Sequence, residues 1–180
     1  MNYQLATLFG LGKLPGAGTW ASLFVLMLAM ITKDPANILI FLTVITLISA
    51  PSIYKKSLSF FNSKDPKEFV LDEVIGMALA LIVVHVYSDI FGSFTLDLPN
   101  FINNQEFLFF LTFILFRIFD ISKIGPVGWT ENPRTSPLWW KNWNKNKDNE
   151  YMNVIGDDIV AALLSAGIVI VSLSIYLWVL

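Results

Sequence analysis

Five acidic residues stand at the ends of strongly apolar stretches of the chain: Asp72, Glu73, Asp120, Asp157 and Asp158. A carboxylate beside hydrocarbon is energetically costly, so an acid in that place is by default a candidate functional residue. If the apolar stretches cross a membrane in chain order, all five acids lie on the same side. Carboxylate oxygens bind hard divalent cations, and a cation held at a membrane face can act on a phosphate group. The pattern therefore predicts a metal and phosphate site at one membrane face.

The two acidic pairs also fit a purely structural role. Asp72-Glu73 and Asp157-Asp158 each open an apolar stretch, and acids in the first turn of a helix stabilise its macrodipole by about 0.3–1 kcal/mol. Neighbouring acids on a helix point about 100° apart, so only one of each pair faces a given site directly. The functional interpretation is favoured because several motifs reach the same face, whereas the acids of the other face are scattered and lack glycine or basic partners.

Basic residues accompany one of the acids. Arg117, Asp120 and Lys123 are spaced i, i+3, i+6, which places them on one face of a helix end. One interpretation is a self-neutralising ion-pair ladder that lets the helix emerge from lipid. The other is that Arg117 and Lys123 bind phosphate oxygens while Asp120 joins the carboxylate cluster.

A glycine-rich segment precedes the first apolar stretch and contains Lys13, Gly16, Gly18 and Thr19. Glycines before a helix expose backbone N–H groups that can bind an anion. The alternative is a flexible turn with Thr19 as the N-cap of the helix. The segment is not a Walker loop, since the Gly-Lys-Ser/Thr ending is absent.

The elements that position these residues are predicted to be membrane helices. The chain has 180 residues, of which 55% are hydrophobic and 14% charged, whereas about a quarter are charged in a soluble domain. Crossing a bilayer takes about 20 helical residues, and the runs are continuous rather than alternating. We predict an all-α polytopic membrane protein with about four to five embedded helices in one domain, residues 1–180. The apolar stretches are residues 20–31, 38–53, 69–90, 107–124 and 159–180.

The basic residues predict the orientation. All of them except Lys33 fall in the loops on the side of the five acids, so the positive-inside rule places the N-terminus and the acids at the cytoplasmic face. A net charge of −2 makes nucleic acid an unexpected partner. The polar loop 128–153 mixes tryptophan with lysine. It fits either an interfacial belt or a lid attracted to anionic lipid, and these two roles are compatible.

Four motifs together resemble the phosphatidylglycerophosphatase A family of bacterial inner-membrane lipid phosphatases. They are the Pro-Gly-Ala-Gly-Thr-Trp segment 15–20, the Asp-Glu-Val-Ile-Gly segment 72–76, the Phe-Arg-x-Phe-Asp-x-x-Lys segment 116–123 and the Gly-Asp-Asp segment 156–158. Their order and spacing cover most of the chain, and the third motif is specific.

The resemblance implies Mg²⁺-dependent hydrolysis of phosphatidylglycerophosphate, an anionic phospholipid, to phosphatidylglycerol in the bacterial cytoplasmic membrane. The five acids would hold the metal and water. Arg117 and Lys123 would bind the phosphate, together with Lys13, Gly16, Gly18 and Thr19.

The residue inventory limits the mechanism. No cysteine is present and His85 is the only histidine, which excludes a cysteine phosphatase and disfavours a phosphohistidine route. Attack by water is favoured, and Asp120 as a carboxylate nucleophile stays open. Two other classes also stay open: a small transporter or channel with a carboxylate cation site, and a structural membrane protein whose acids only cap helices.

Overall fold

The structure is a computed structural model that describes residues 2–61, 66–92, 105–131 and 150–179. These residues form helices and connecting turns without a β-strand, which confirms the all-α prediction. Most of the predicted tryptophan- and lysine-rich loop lies outside the described residues. The helices are α1 (Asn2–Ala6), α2 (Ala17–Ile31), α3 (Pro35–Ser57), α4 (Leu71–Gly92), α5 (Gln105–Ser122), α6 (Pro126–Glu131) and α7 (Glu150–Val179).

Local sequence explains where α2 and α3 begin. The side chain of Asp34 caps α3 by accepting a hydrogen bond from the backbone N–H of Asn37, and Pro35 occupies the first helical turn, where its missing N–H costs nothing. Helix α2 starts after Gly16, which adopts φ 70° in the left-handed region. The interpretation of Thr19 as the N-cap is therefore wrong. Its backbone N–H instead donates to the Gly16 carbonyl at 2.8 Å.

Three segments are long and apolar enough to cross a bilayer: Pro35–Phe60, Leu71–Phe91 and Val154–Tyr176. Helix α2 is apolar but has only 15 residues. Helix α5 has 18 residues and carries Glu106, Arg117 and Asp120. The length and composition of these segments indicate a membrane protein, and α2 and α5 pack against them.

Helix α4 is the centre of the bundle and packs against α7, α3, α2 and α5. Small residues allow the close approach, since Ala78 and Ala80 of α4 and Ala161 and Ala162 of α7 are buried. Gly76 has the same role, because a Cβ there would lie 3.0 Å from both the Asp158 Cβ and a ring carbon of Phe116. The bundle exterior is apolar, as expected of a surface in lipid, and α3 exposes Phe41, Val44 and Ile48, among others.

The N-terminal segment is attached to the chain just before α4. The backbone N–H of Val70 donates to the Ala6 carbonyl at 3.1 Å, and a Cβ on Gly12 would collide with the Glu68 carbonyl oxygen. An aromatic cluster beside this attachment contains Tyr54, Phe69 and Tyr151, which come from α3, the segment before α4, and α7. These contacts fix the position of the first turn of α4.

Candidate metal and phosphate site

The five acids predicted from sequence lie at one end of the helix bundle. Asp72 and Glu73 lie in the first turn of α4 and Asp120 lies in the last turn of α5. Helix α7 begins at Glu150, so Asp157 and Asp158 lie about two turns inside it, and the interpretation of this pair as acids of a first helical turn is wrong. Four of the acids are buried, namely Asp72, Asp120, Asp157 and Asp158, and Glu73 is half-buried. Buried carboxylates are unfavourable unless they are paired or bind a cation, so their partners define what the site can do.

Asp72, Glu73 and Asp158 form a three-carboxylate cluster. Each contributes one oxygen, and these oxygens lie within 4.8 Å of one another. Oε2 of Glu73 and Oδ1 of Asp158 are buried and have no hydrogen-bond partner among the described residues. Oxygens converging without donors between them repel one another, and a hard divalent cation would offset that repulsion. The donor set therefore fits Mg²⁺ or a similar ion.

Asp120 and Asp157 are paired with basic side chains instead. Asp120 accepts from Nη1 of Arg117 at 2.6 Å and from Nζ of Lys123 at 3.1 Å. Lys123 also contacts Oδ2 of Asp157, so it connects α5 to α7. The ion-pair ladder expected from the i, i+3, i+6 spacing exists, and it extends to a second helix.

Lys123 lies just beyond the end of α5 in a left-handed backbone conformation, with φ 50°, and its N–H donates to the Phe119 carbonyl at 2.9 Å. Burial by itself would lower the pKa of Lys123. The carboxylates of Asp157 and then Asp120 outweigh that effect and raise its pKa above the ordinary value. The ammonium group therefore stays charged at neutral pH between two acids.

Helix α2 reaches the site through Gly18. A Cβ at this glycine would collide with Oε1 of Glu73 and lie 3.0 Å from Nη1 of Arg117. One turn later, Oγ of Ser22 donates to the Gly18 carbonyl at 2.8 Å and lies 3.5 Å from Nη1 of Arg117. The first two turns of α2 thus border both the carboxylate cluster and the guanidinium group.

The other residues of the predicted glycine-rich anion site lie further out. Nζ of Lys13 is 5.0 Å from the centre of the Tyr3 ring, and the residue is exposed. Gly16 is also exposed, and Thr19 is half-buried with its N–H directed back to Gly16. The contacts found in the described chain do not join these three residues to the carboxylates.

Two residues beside the site were missing from the predicted set of site residues. Ser22 follows Gly18 at i+4, a spacing that places both on one helix face. Tyr151 precedes Asp158 by seven residues, which is also one face, and it lies in the aromatic cluster. Helical spacing from an already suspected residue could have indicated both.

Comparison with known proteins agrees with this geometry. The family model described as phosphatidylglycerophosphatase A matches residues 4–173. The chain belongs to the phosphatidylglycerophosphatase A family. The resemblance drawn from the four motifs is thereby confirmed. No curated protein and no solved structure gives a significant match.

Membership of the phosphatidylglycerophosphatase A family indicates a phosphatase of phosphatidylglycerol metabolism. Such an enzyme acts on a phospholipid at a bilayer, which agrees with the three apolar helices. All four motifs lie within the matched residues, and the residues that come into contact at the acidic end of the bundle belong to these motifs or lie next to them.

Proposed function

We propose that the protein hydrolyses phosphatidylglycerophosphate to phosphatidylglycerol and inorganic phosphate in phospholipid biosynthesis, with Mg²⁺ as cofactor. The observation that carries the proposal is the buried cluster of Asp72, Glu73 and Asp158 beside the cations Arg117 and Lys123, in a chain of this family. A carboxylate cluster next to cations provides separate places for a metal ion and for phosphate oxygens.

The three-carboxylate cluster would hold the metal. When bound, Mg²⁺ would neutralise charge on the phosphoryl oxygens and favour attack by water. The cluster lies beneath the first turn of α2, where Gly18 leaves room for the Glu73 carboxylate. Asp72 lies in the first turn of α4 and Asp158 about two turns inside α7, and Gly76 lets the two helices approach closely there.

Arg117 and Lys123 would bind the phosphate. Guanidinium and ammonium groups stabilise the charge of a transferring phosphoryl group most where water is excluded. Nε of Arg117 is buried and has no hydrogen-bond partner in the part of the chain that the structure describes, so the guanidinium keeps a donor available. Gly18 would contribute a backbone N–H close by, and Lys13, Gly16 and Thr19 would act from the rim.

Asp120 and Asp157 would hold the two cations in place. Asp120 contacts both of them, and Asp157 contacts Lys123 from the neighbouring helix. In hydrolysis a water oxygen forms a bond to phosphorus and the bond to the glycerol oxygen breaks, so that the glycerol oxygen leaves with a proton. Fixed cations matter because the charge on the phosphoryl oxygens must be stabilised without rearrangement.

The site would face the cytoplasm from the bacterial inner membrane, with α2 and α5 embedded beside the three spanning helices to give four to five embedded helices. The basic residues support this orientation by the positive-inside rule. The substrate is an anionic lipid of the inner leaflet, and its phosphate would then lie at the level of the acids. The carboxylates lie at or near the ends of the apolar segments rather than at mid-span positions, which favours hydrolysis over transport.

The test is phosphate release from phosphatidylglycerophosphate in detergent micelles by purified protein, with Mg²⁺ and again with EDTA. We expect release that requires Mg²⁺, and loss of release in Asp158→Asn. Folded protein that releases no phosphate under either condition would overturn the proposal. Cation flux into protein-containing vesicles without hydrolysis would then favour the transporter alternative.

A further inference from the structure

Tyr151 carries a buried hydroxyl group that the chemistry described above does not use. The residue lies in the first turn of α7 and is 5% exposed. Its hydroxyl oxygen has no hydrogen-bond partner within the described ranges of the chain. A phenol in such a place normally finds a partner, because burying an unpaired hydroxyl is unfavourable. Phenylalanine would fill the same space without that cost.

The ring of Tyr151 is held firmly. It lies 5.8 Å from the ring of Tyr54 and belongs to an apolar cluster with Phe69, Leu71 and Ile75. These neighbours supply the apolar contacts that keep the ring in place, and their side chains, apart from the Tyr54 hydroxyl, offer no strong acceptor. Packing therefore accounts for the ring and leaves the hydroxyl unexplained.

Tyr151 packs near the turn of α4 that carries two acids of the carboxylate cluster, since Leu71 and Ile75 of the same apolar cluster flank Asp72 and Glu73. Tyr151 and Asp158 share one face of α7, two helical turns apart. Leu71, which packs in the cluster with Tyr151, directly precedes Asp72. Burial, and then the nearby carboxylate of Asp72, raise the pKa of Tyr151 above its ordinary value, so the hydroxyl keeps its proton at neutral pH and can donate.

A phosphate group in this site would need such a donor. Lys123 contacts the carboxylates of Asp120 and Asp157, and Nη1 of Arg117 contacts Asp120 as well. A phosphate monoester carries close to two negative charges and three strong acceptor oxygens. A neutral donor at the edge of an acidic cluster can donate a hydrogen bond to one of those phosphate oxygens. A cationic side chain there would instead pair with the carboxylates.

We propose that the Tyr151 hydroxyl is a substrate-binding group that donates a hydrogen bond to a phosphate oxygen of the bound phosphate monoester. The inference rests on the proposed function, since it assigns this hydroxyl to the same phosphate site. It explains why a polar atom is buried without a partner: the partner arrives with the substrate.

The test compares the wild type with Tyr151→Phe, which removes only the hydroxyl. Three quantities are measured in detergent micelles: the Kd of inorganic phosphate by calorimetry with Mg²⁺ present, KM and kcat for phosphatidylglycerophosphate, and the Tm without phosphate. We expect the phosphate Kd and KM to rise about tenfold or more, as for loss of a hydrogen bond to a charged acceptor. The Tm should stay equal or rise, because no bond within the chain is lost.

Tyr87→Phe is the matched control. The Tyr87 hydroxyl is 2.6 Å from Oγ of Ser174, far along α4 from the acids, so its hydrogen bond lies within the protein. This variant should lower the Tm by roughly 2–4 °C and leave the phosphate Kd unchanged. The two variants should therefore show opposite changes: Tyr151→Phe in the phosphate Kd and Tyr87→Phe in the Tm.

If Tyr151→Phe leaves the phosphate Kd and the KM unchanged, the inference is overturned. A lower Tm together with unchanged Kd and KM would show instead that the hydroxyl makes a structural hydrogen bond. Wild-type protein that binds phosphate without hydrolysing the lipid would overturn the proposed function alone, and the phosphate Kd would still decide the role of Tyr151. Protein that neither binds phosphate nor hydrolyses the lipid would overturn both.

Discussion

The carboxylate of Glu73 on α4 lies against the backbone of Gly18 on α2, so closely that a Cβ on Gly18 would collide with its Oε1. Arg117 borders the same point, with Nη1 3.0 Å from where that Cβ would be. One glycine therefore sets the distance between a helix start, a carboxylate of the cluster and a guanidinium group. Side-chain bulk at this position acts directly on the candidate site.

Gly18→Ala should displace Glu73 and reduce phosphate release by at least tenfold, as a rough estimate for a misplaced active-site group. Overpacking of this kind also costs about 1–3 kcal/mol of unfolding free energy. Gly167→Ala is the control, because nothing lies within 4 Å of a Cβ there. Alanine in that helix interior should be neutral or stabilising by up to about 1 kcal/mol. Equal activities in the two variants would show that Gly18 does not shape the site.

Metal binding should stabilise the protein through the three-carboxylate cluster. Saturation at about 100 times Kd adds about 2.7 kcal/mol, which thermal unfolding with Mg²⁺ and with EDTA can detect as a rise in Tm. Asp158→Asn should abolish that rise. Its Tm in EDTA should equal or exceed that of the wild type, because one of three mutually repelling carboxylates is gone.

Asp34→Asn is the control for this experiment, because Asp34 is the N-cap of α3 and does not belong to the carboxylate cluster. Asparagine caps a helix as well as aspartate does, so the fold should be unaffected. It should keep the full Mg²⁺-dependent rise in Tm. A rise that survives in Asp158→Asn would place the metal elsewhere.

Asp120→Asn should separate phosphate binding from metal binding. The variant weakens the contacts to Arg117 and Lys123 but leaves the three-carboxylate cluster intact. We expect kcat/KM to fall about 100-fold, of the order seen when one charge-stabilising group is lost, while the Mg²⁺-dependent rise in Tm persists. If the Mg²⁺-dependent rise in Tm is lost, Asp120 is instead a metal ligand. If the variant keeps full activity, Asp120 has no role in the site.

Lys123→Met should leave Asp120 and Asp157 without their shared cation. The two acids then repel each other across the contact of α5 with α7, and we expect the unfolding free energy to fall by about 1–3 kcal/mol. This is less than the cost of breaking a fully buried ion pair, because Lys123 is partly exposed. Adding Asp157→Asn should recover part of this stability but not activity. A double-mutant cycle measures the coupling, and additive effects would show that the pair contributes nothing.

Lys67→Met is the surface control for that cycle, because Lys67 is exposed and lies outside the site. It should change the unfolding free energy by less than about 0.5 kcal/mol. If the unfolding free energy falls by a comparable amount in Lys67→Met and Lys123→Met, the effect comes from net charge and not from the ion pair between α5 and α7.

The amino-acid sequence by itself determined the helical class and the places where the acids stand. Continuous apolar runs require helices, because backbone groups in lipid must pair within their own segment. Alternating helix directions then bring Asp72, Asp120 and Asp158 to one end without further information. The alternative with Thr19 as N-cap would start α2 at Trp20, which is too late, because Gly16 in the left-handed region caps the helix and Ala17 is its first residue.

Only the tertiary structure decided which of the five acids form the three-carboxylate cluster and which pair with basic side chains. Neighbouring acids on a helix point about 100° apart, and the rotation of each helix is set by packing against its neighbours. That packing turns Asp158 toward Asp72 and Glu73, and it turns Asp157 toward Lys123. The contact of Gly18 with Glu73 and the buried hydroxyl of Tyr151 depend on the same packing. They could not be derived from residue spacing, because spacing specifies the face of one helix but not what lies opposite it.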